Sequence, residues 1–425
     1  MTASTEQKNI VIVGGGIIGS TSAYYLTRHP SYDPSKHKIT ILEAGQIAGG
    51  ASGKAGGLLA LWAYPKSIVP LSYRLHKELA QEHGGEQRWG YRAVHCGRVD
   101  CIGRALPEKK RGGESAANGT NANGKMGAGD KAEDVSLEKN PPKKKKGAMG
   151  VPEDMNWIAQ DALRAYDAMG DPSTTAQVHP RLFTENMMEL AKEKGVEVKI
   201  QSPVQSIKYT NASQVESVTY ADKTSGNENT IPATDVIIAA GPWTRSVYPS
   251  APIGALRAHS VTIRADVSPY ALFTQIKLPS TFPNSASQGP HSGQIVSPEI
   301  YARPHNEVYA CGEGDHAVPL PPSSDEVEVD QSRCQDIIDF VSSISDDLRD
   351  GEVTARQACY LPQVNGSSTP LVGGVPGTKG LWLAAGHTCW GIQNGPGTGK
   401  LMSEFVFEGK AKSAKVEALD PGNYM

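Results

Sequence analysis

Three glycines near the start of the chain, spaced as Gly14-x-Gly16-x-x-Gly19, carry the clearest chemical signal in the sequence. They follow a β-branched apolar run at residues 9–13 and open a run of small and apolar residues at 17–28. In a strand–turn–helix setting, Gly14 allows the tight turn, Gly16 lets the backbone approach a diphosphate, and Gly19 lets helix and strand pack closely. The free N–H groups and partial positive charge of a helix N-terminus suit phosphate oxygens. The pattern therefore predicts a dinucleotide site, with a ligand-free glycine-rich turn as the simpler alternative.

An acidic residue, Glu43, closes a second apolar run at residues 38–43 and completes a βαβ unit. Its carboxylate can accept hydrogen bonds from a ribose diol and would repel a 2′-phosphate, which disfavours NADP. No second GxGxxG is present, whereas an apolar run ending in glycine recurs at 380–386, near the other end of the chain. One cofactor held by both ends fits FAD, with electrons coming from a substrate. An NAD-dependent dehydrogenase that uses the first fingerprint alone is the alternative.

Three further segments have a recognisable composition: Gly49–Leu58, Val236–Trp243, and Leu383–Gly391 with the following Gly397-Thr-Gly399. Together they resemble the D-amino-acid oxidase-like (DAO) family of FAD-dependent oxidoreductases, and the chain looks closest to a fungal subgroup of it. The resemblance implies an α/β fold: a Rossmann-like FAD-binding domain, with a parallel sheet and helices, plus a mainly antiparallel-sheet substrate domain. The expected parts are 1–70, 155–250 and 355–425 for the discontinuous FAD-binding domain, 71–104 and 251–354 for the substrate domain, and 105–150 for a flexible low-complexity insertion.

The resemblance also implies which residues contact FAD. The first helical turn would hold the pyrophosphate, Glu43 the adenosine ribose, and the segments near Ser52 and Gly391 the flavin. The expected cofactor-binding residues are Gly14, Gly16, Ile17, Ile18, Gly19, Glu43, Ala44, Ser52, Lys54, Gly57, Leu58, Val204, Ala240, Gly241, Trp243, Gly386, Trp390, Gly391 and Ile392.

Oxidation of an amine or amino acid is the reaction that the resemblance implies. A hydride would pass from the carbon bearing the nitrogen to flavin N5, the imine would hydrolyse, and oxygen or another acceptor would reoxidise the flavin. The candidate catalytic residues are Lys54, Arg303 and His387. Lys54 is a cation expected near the flavin ring, where it could assist the reaction with oxygen, and His387 lies in the C-terminal flavin loop.

The sequence departs from the family pattern at the substrate carboxylate. Amino-acid oxidases of this family often clamp that carboxylate with an arginine in an Arg-Pro pair, and the matching position here is Leu361, before Pro362. Leucine cannot bind a carboxylate. Arg303, in a second Arg-Pro pair, could supply the clamp from elsewhere, or could be structural. The missing arginine also leaves open a non-catalytic flavin-binding scaffold or trafficking factor.

Composition bounds the remaining function classes. A formal net charge of −3 gives no case for nucleic-acid partners. No apolar run approaches the ~20 residues that a membrane-spanning helix needs, and no His or Cys spacing predicts a metal site. The six cysteines show no CxxC pair and no secretory signal precedes them, so we expect reduced thiols in a cytoplasmic protein.

Residues 105–150 have a different composition from the rest of the chain. Hydrophobic residues almost vanish there, so the segment cannot offset the entropy of ordering and is predicted to be a flexible surface insertion. Its four consecutive lysines, 143–146, are typical of a solvated loop, with a nuclear signal or an anionic-surface contact as alternatives.

Overall fold

The computed structural model describes residues 7–106, 150–283 and 291–425. The predicted insertion at 105–150 therefore lies almost entirely outside the described residues. Within them the strands are β1 Lys8–Val13, β2 His37–Leu42, β3 Leu58–Ala60, β4 Arg92–Ala93, β5 His95–Ile102, β6 Leu163–Gly170, β7 Thr175–Gln177, β8 Glu197–Lys199, β9 Val204–Tyr209, β10 Val215–Ala221, β11 Glu228–Pro232, β12 Asp235–Ile238, β13 Ile253–Arg264, β14 Tyr270–Lys277, β15 Ile295–Val296, β16 Glu299–Arg303, β17 Glu307–Asp315, β18 Glu352–Val364, β19 Leu371–Gly374 and β20 Leu381–Ala385. The α-helices are α1 Ile17–Leu26, α2 Ala51–Lys54, α3 Val69–His83, α4 Gly85–Trp89, α5 Pro180–Lys192, α6 Thr244–Val247, α7 Gln331–Ser342, α8 Asp346–Asp350 and α9 Gly391–Glu408.

The first sheet has six strands in the order β19-β20-β12-β1-β2-β8. All neighbours are parallel except β19, which runs antiparallel to β20. Strand β1 pairs with β2 on one side and with β12 on the other, so the connections leave it in opposite directions. Such a switch point is where doubly wound sheets bind their ligands, beyond the carboxyl ends of the strands. The parallel-sheet domain predicted from the sequence is confirmed.

Helices α1, α3, α5 and α9 cover one face of this sheet through a continuous apolar core. Helices α1 and α9 approach closely because α9 presents glycines to α1. A side chain at Gly399 would stand 2.5 Å from the backbone of Thr21, and the Thr21 hydroxyl donates a hydrogen bond to the Gly395 carbonyl at 2.8 Å. The C-terminal helix is thereby fixed against the helix that follows the glycine turn.

The second sheet is the expected, mainly antiparallel one. Its order is β18-β13-β17-β16-β14-β5-β6, with β15 paired to β14, and among the described strand pairs of this sheet only β14–β5 is parallel. Helices α7 and α8 and the segment around Trp157 pack on one face. The other face turns toward the first domain. An aromatic cluster fills the space between the sheets and contains Trp62, Tyr64, Phe273, Tyr301, Tyr309 and Trp390. Two smaller three-stranded sheets, β11-β10-β9 and β3-β7-β4, complete the fold.

Several described elements cross the predicted domain boundaries, among them strand β18 at 352–364, most of which was expected in the FAD-binding domain but which pairs with β13 in the second sheet. Helix α3, at 69–83, was expected in the substrate domain, but its apolar face, with Leu71, Leu75 and Leu79, packs into the core of the first domain. Strand β6, at 163–170, was expected in the FAD-binding domain, but it pairs with β5 at the edge of the second sheet. We propose that α3 belongs to the first domain and β6 to the second.

Candidate active site

The turn between β1 and α1 depends on glycine at two positions. Gly14 has a φ of +109°, and a side chain there would stand 2.5 Å from the carbonyl oxygen of Ala239, at the end of β12. A side chain at Gly19 would collide with the Gly14 carbonyl oxygen. Gly19 thus permits the close packing of helix on turn. It does not line the cleft described next, so its predicted cofactor contact is not supported.

An elongated cleft runs from this turn along the carboxyl ends of the first sheet to the second sheet. It encloses about 1530 Å³ of empty space, its open mouth included. Most of the predicted cofactor residues line it: Gly14, Gly16, Ile17, Ile18, Glu43, Ala44, Ser52, Lys54, Val204, Ala240, Gly241, Trp243, Gly391 and Ile392.

The first turn of α1 opens into the middle of the cleft at Gly16, Ile17 and Ile18. First-turn amides have no acceptor within their own helix, and here no acidic side chain occupies that turn. The Ile17 N–H donates to the Ser52 hydroxyl oxygen at 2.9 Å, which leaves the hydroxyl hydrogen available to a ligand. A side chain at Gly16 would stand 3.0 Å from that oxygen and would fill the cradle. The arrangement suits a diphosphate.

Glu43 lies at one end of the cleft with both carboxylate oxygens engaged by backbone. Oε2 accepts from the Gly15 N–H at 2.6 Å and Oε1 accepts from the Gly45 N–H at 2.8 Å. Burial raises the pKa of Glu43, and these N–H groups counter part of that effect. Each carboxylate oxygen keeps a further lone pair for a ribose hydroxyl. Glu43 therefore shapes the glycine turn as well as lining the cleft, a role that the spacing alone did not indicate.

The segment between β17 and α7 covers this end of the cleft, which the sequence did not predict. Pro322, Ser323 and Ser324 are among the lining residues. The Trp243 indole N–H holds the segment by donating to the Pro321 carbonyl at 2.6 Å. The run of prolines and serines at 319–324 signals a loop, but no local pattern indicates that the loop crosses to the first domain.

Lys54 lies at the opposite end, where the cleft meets the second sheet. Its Nζ donates to the Ala358 carbonyl at 3.0 Å. Burial lowers the pKa of Lys54. Strands β17 and β18 supply the facing wall through Tyr309, Cys311, Cys359 and Leu361. Burial also raises the pKa of the Cys359 thiol to about 11, so the thiol stays protonated near neutral pH.

His387 lines the same end of the cleft and is buried. Its Nε2 lies 2.9 Å from the Thr398 hydroxyl, and burial lowers the pKa of His387 to about 3. The imidazole is therefore neutral at working pH and is a poor candidate for proton transfer. Its geometry instead ties the loop after β20 to α9.

Helix α9 begins at Gly391 and contains Pro396. Proline has no N–H to donate to the carbonyl four residues earlier, here that of Ile392. The His76 Nε2 of α3 lies 3.0 Å from that carbonyl oxygen and replaces the missing donor. Burial lowers the pKa of His76 to about 4, which keeps the ring neutral. The first turn of α9, at the cleft, is thus held by a side chain from another helix.

Four other predicted cofactor residues do not line the cleft. Gly57 and Gly386 have positive φ angles, and a side chain at either position would collide with Val178 or Val364, respectively. Leu58 and Trp390 are buried in the cluster between the sheets. Trp390 packs edge-to-face with Trp62 at a centroid distance of 5.5 Å. A large apolar side chain in a glycine-rich loop indicates core as readily as cofactor contact, and here the core is observed.

Arg303 is not positioned as a substrate clamp. The buried guanidinium donates to the carbonyls of Ala55 and Gly56, pairs with Glu307 at 2.7 Å, and lies over the Tyr309 ring. It is absent from the residues that line the cleft. Its charge is already compensated, so we assign it the role of fixing the 54–57 segment beside Lys54. Among the described residues that line the cleft, Lys54 is the only lysine or arginine.

The geometry fits FAD. A glycine turn at a helix N-terminus, an acidic residue after the second strand and a long cleft reaching a second sheet match the parts of a dinucleotide, and residues from both ends of the chain build it. The family model of the FAD-dependent oxidoreductases, the DAO family, matches residues 9–405. The chain belongs to this family.

Relatives of the chain extend over its whole length. A Saccharomyces cerevisiae protein named "Putative oxidoreductase TDA3" is 35% identical, with 99% of this chain and 95% of that protein covered. A Schizosaccharomyces pombe protein named "Putative oxidoreductase C1F5.03c" is 33% identical, with 98% of each covered. The glycine oxidase structure from Geobacillus kaustophilus has a TM-score of 0.66 at 20% identity, covering 99% of this chain and all of that one, and shows the same fold.

The described ranges 7–106, 150–283 and 291–425 hold no helix long and apolar enough to cross a bilayer. The same ranges contain no group of three or more His, Cys, Asp or Glu side chains placed to hold a metal ion.

The sequence left two cofactors open, FAD and NAD. Membership of the DAO family decides between them: the cofactor is FAD, and the alternative of an NAD-dependent dehydrogenase is set aside.

Proposed function

We propose that this FAD-dependent oxidoreductase oxidises a C–N bond of a small amine. The observation that carries the proposal is the end of the cleft at Lys54, where the cofactor cleft stops against the neutral, largely apolar wall of the second sheet. A substrate would lie between that wall and the flavin. The glycine oxidase with the same fold supports nitrogen-bearing substrates by analogy.

FAD, when bound, supplies the two-electron acceptor for a hydride that leaves the carbon next to nitrogen. The residues of the chain bind and orient. The α1 amides and Ser52 hold the diphosphate, and the neutral wall selects the uncharged amine, whose lone pair must be free for the imine to form. The imine then hydrolyses to a carbonyl compound and ammonia or a smaller amine.

Lys54 is the residue that we propose acts on charge at the reacting end. Within the described residues its ammonium donates to the Ala358 carbonyl and forms no salt bridge with a carboxylate, so it provides a fixed positive charge in a partly dehydrated place. Such a charge favours the anionic character that reduction places on the cofactor. It would also favour negative charge on oxygen, if oxygen is the acceptor. His387, being neutral, has a positioning role only.

An α-amino acid is the less favoured substrate. Leu361 occupies the position of the family's carboxylate clamp and lines the cleft, and Arg303 is committed to backbone carbonyls and Glu307. An amine without a carboxylate, or one whose carboxylate lies elsewhere, fits this wall better. The same observation favours one second candidate, a flavin-binding scaffold that lacks turnover.

Anaerobic mixing of the flavin-loaded protein with a panel of amines and amino acids tests the proposal. We expect an amine to bleach the visible flavin absorbance, with matching amounts of carbonyl product. Dithionite serves as the control that shows the flavin can be reduced. If dithionite bleaches the flavin and no member of the panel does, C–N oxidation is rejected and the scaffold is favoured.

A further inference from the structure

A second cleft opens beside the reacting end of the first. The two share Leu361, Thr388 and Cys389, so the second cleft, which we name the side cleft, leads from solvent to the place where the flavin cleft meets β18. Its polar wall is formed mainly by Tyr64, His316, Gln363, Asn365, Ser368 and Thr388. A molecule that enters by the side cleft reaches the wall of the proposed reaction site.

The wall of the side cleft, as far as it is described, is polar and carries no carboxylate, ammonium or guanidinium group. Among the described residues that line the side cleft there is no Asp, Glu, Lys or Arg. Hydroxyls, carboxamides and an imidazole each offer both a donor and an acceptor in a short reach, or can do so by rotation or choice of tautomer. Charged ligands would find no counter-charge here, whereas ligand hydroxyls, which also donate and accept, would match the wall.

Several of these polar groups are available to a ligand. The side chains of Gln363, Asn365, Ser368 and His316 form no hydrogen bond with another side chain or backbone group in the part of the chain that the structure describes. Where the two clefts meet, the Thr388 hydroxyl donates to the Tyr64 hydroxyl at 3.4 Å, so these two groups are already hydrogen-bonded to each other. The available groups therefore lie along the outer cleft, and the organised ones lie next to the flavin end.

The floor of the side cleft is kept open by small residues of β13. Gly254 pairs in register with Gln363, and a side chain at Gly254 would stand 2.9 Å from the Asn365 amide oxygen. Ala255, the next residue, also lines the cleft. A larger residue at 254 would push the Asn365 side chain away or fill the space. The backbone thus provides room beside two free carboxamides.

We propose that the side cleft binds a neutral, hydroxyl-rich portion of the substrate and so directs the nitrogen-bearing carbon to the junction at Leu361. This inference rests on the proposed function and names the class of amine: an aminopolyol or an amine carrying a polyol substituent. It explains why the chain dispenses with a carboxylate clamp, because hydroxyl contacts in the side cleft replace it as the source of orientation.

Four six-carbon amines that differ only in their polar groups test the proposal on the flavin-loaded protein: 1-amino-1-deoxysorbitol, hexylamine, 6-aminohexanoate and 6-aminohexanamide. Binding is measured by isothermal titration calorimetry under anaerobic conditions, and flavin bleaching is recorded separately. We expect the aminopolyol to bind about tenfold or more tightly than hexylamine, the gain of one or two net hydrogen bonds. Equal affinities, or tighter binding of the carboxylate or the amide, would overturn the proposal.

Matched variants assign the gain to the side cleft. Gln363→Leu removes a free carboxamide with little change in size, and we expect it to abolish most of the preference for the aminopolyol over hexylamine. Gln81→Leu, on the exposed side of α3, is the control and should keep the preference. Flavin content shows that both variants are folded. A preference unchanged in Gln363→Leu would remove the assignment.

The two measurements separate this inference from the proposed function. Tight aminopolyol binding that is lost in Gln363→Leu supports the side cleft even if the flavin is never bleached, and in that case only C–N oxidation fails. Bleaching by hexylamine and the aminopolyol with equal affinity supports C–N oxidation and overturns the side-cleft assignment.

Discussion

The contact between His76 and α9 allows a sharp test of how the flavin end of the cleft is held. Pro396 cannot donate to the Ile392 carbonyl, and the His76 Nε2 lies 3.0 Å from that oxygen. His76→Leu would leave a buried carbonyl without a donor. An unsatisfied buried acceptor costs about 1–3 kcal/mol, so we expect the free energy of unfolding to fall by that amount.

Pro396→Ala provides the matched background because it restores a backbone N–H four residues after Ile392. In that background the carbonyl has a helical donor again, and His76→Leu should cost less. The expected coupling in the double-mutant cycle is about 1 kcal/mol or more. The assay is urea unfolding of the four proteins with saturating FAD, accompanied by titration of FAD into each apoprotein. His76→Leu should also weaken FAD binding, because Ile392 lines the cleft.

Additive costs in the two backgrounds would refute this reasoning. They would mean that the imidazole stabilises the protein by packing against Phe183, with a ring-centroid distance of 4.8 Å, and not by replacing the missing donor. A His76→Leu cost that disappears in Pro396→Ala would support the replacement directly.

Three further perturbations have defined outcomes. Gly16→Asp should abolish FAD binding because the added carboxylate faces the diphosphate, whereas the protein should still fold because Asp is a good helix N-cap. The flavin-to-protein ratio measures the effect, with Gly150→Asp at an exposed site as the control. Full flavin content in Gly16→Asp would contradict the prediction. Lys54→Met should slow flavin reduction or reoxidation about tenfold in stopped-flow traces, equivalent to ~1.4 kcal/mol, because the fixed positive charge is lost. Lys54→Arg keeps the charge and should retain more of the rate. Equal rates in the unchanged protein and both variants would remove the proposed role. Burial lowers the pKa values of His76 and His387 from 6.5 to about 4 and about 3, so the stability that the neutral rings contribute is present above pH 6.5. This stability is lost as the pH falls toward those values, by up to ~1.4 kcal/mol per pH unit for each histidine. Urea midpoints between pH 7 and 5 should therefore fall less steeply in His76→Leu than in the unchanged protein, and parallel slopes would argue against this.

The first domain was predictable because its signals are local. The apolar run at 9–13 became β1 at Lys8–Val13, and the run at 38–43 became β2 at His37–Leu42, with the glycine turn between them in place. Such buried parallel strands read as continuous apolar runs. The family resemblance then placed the two ends of the chain in one cleft.

The misassigned residues share a different physical reason. Trp390 and Arg303 have side chains that suit a cofactor or a carboxylate, but packing and hydrogen bonds from distant strands decide where those side chains lie. The contact that lets α9 contain Pro396 could not be predicted either, because its donor, His76, is more than three hundred residues away along the chain. Long-range pairing of this kind leaves no local pattern.

The cover over the cleft near Trp243 has a consequence for biosynthesis. The cofactor cavity requires the glycine turn at Gly14, the covering residues at 322–324 and the first turn of α9 at Ile392. A ribosome synthesises the chain from its N-terminus, so the complete cavity cannot exist until the first turn of α9 has emerged. We therefore expect nascent chains that stop before α9 to be flavin-free, and the coenzyme to be acquired only after α9 has been synthesised.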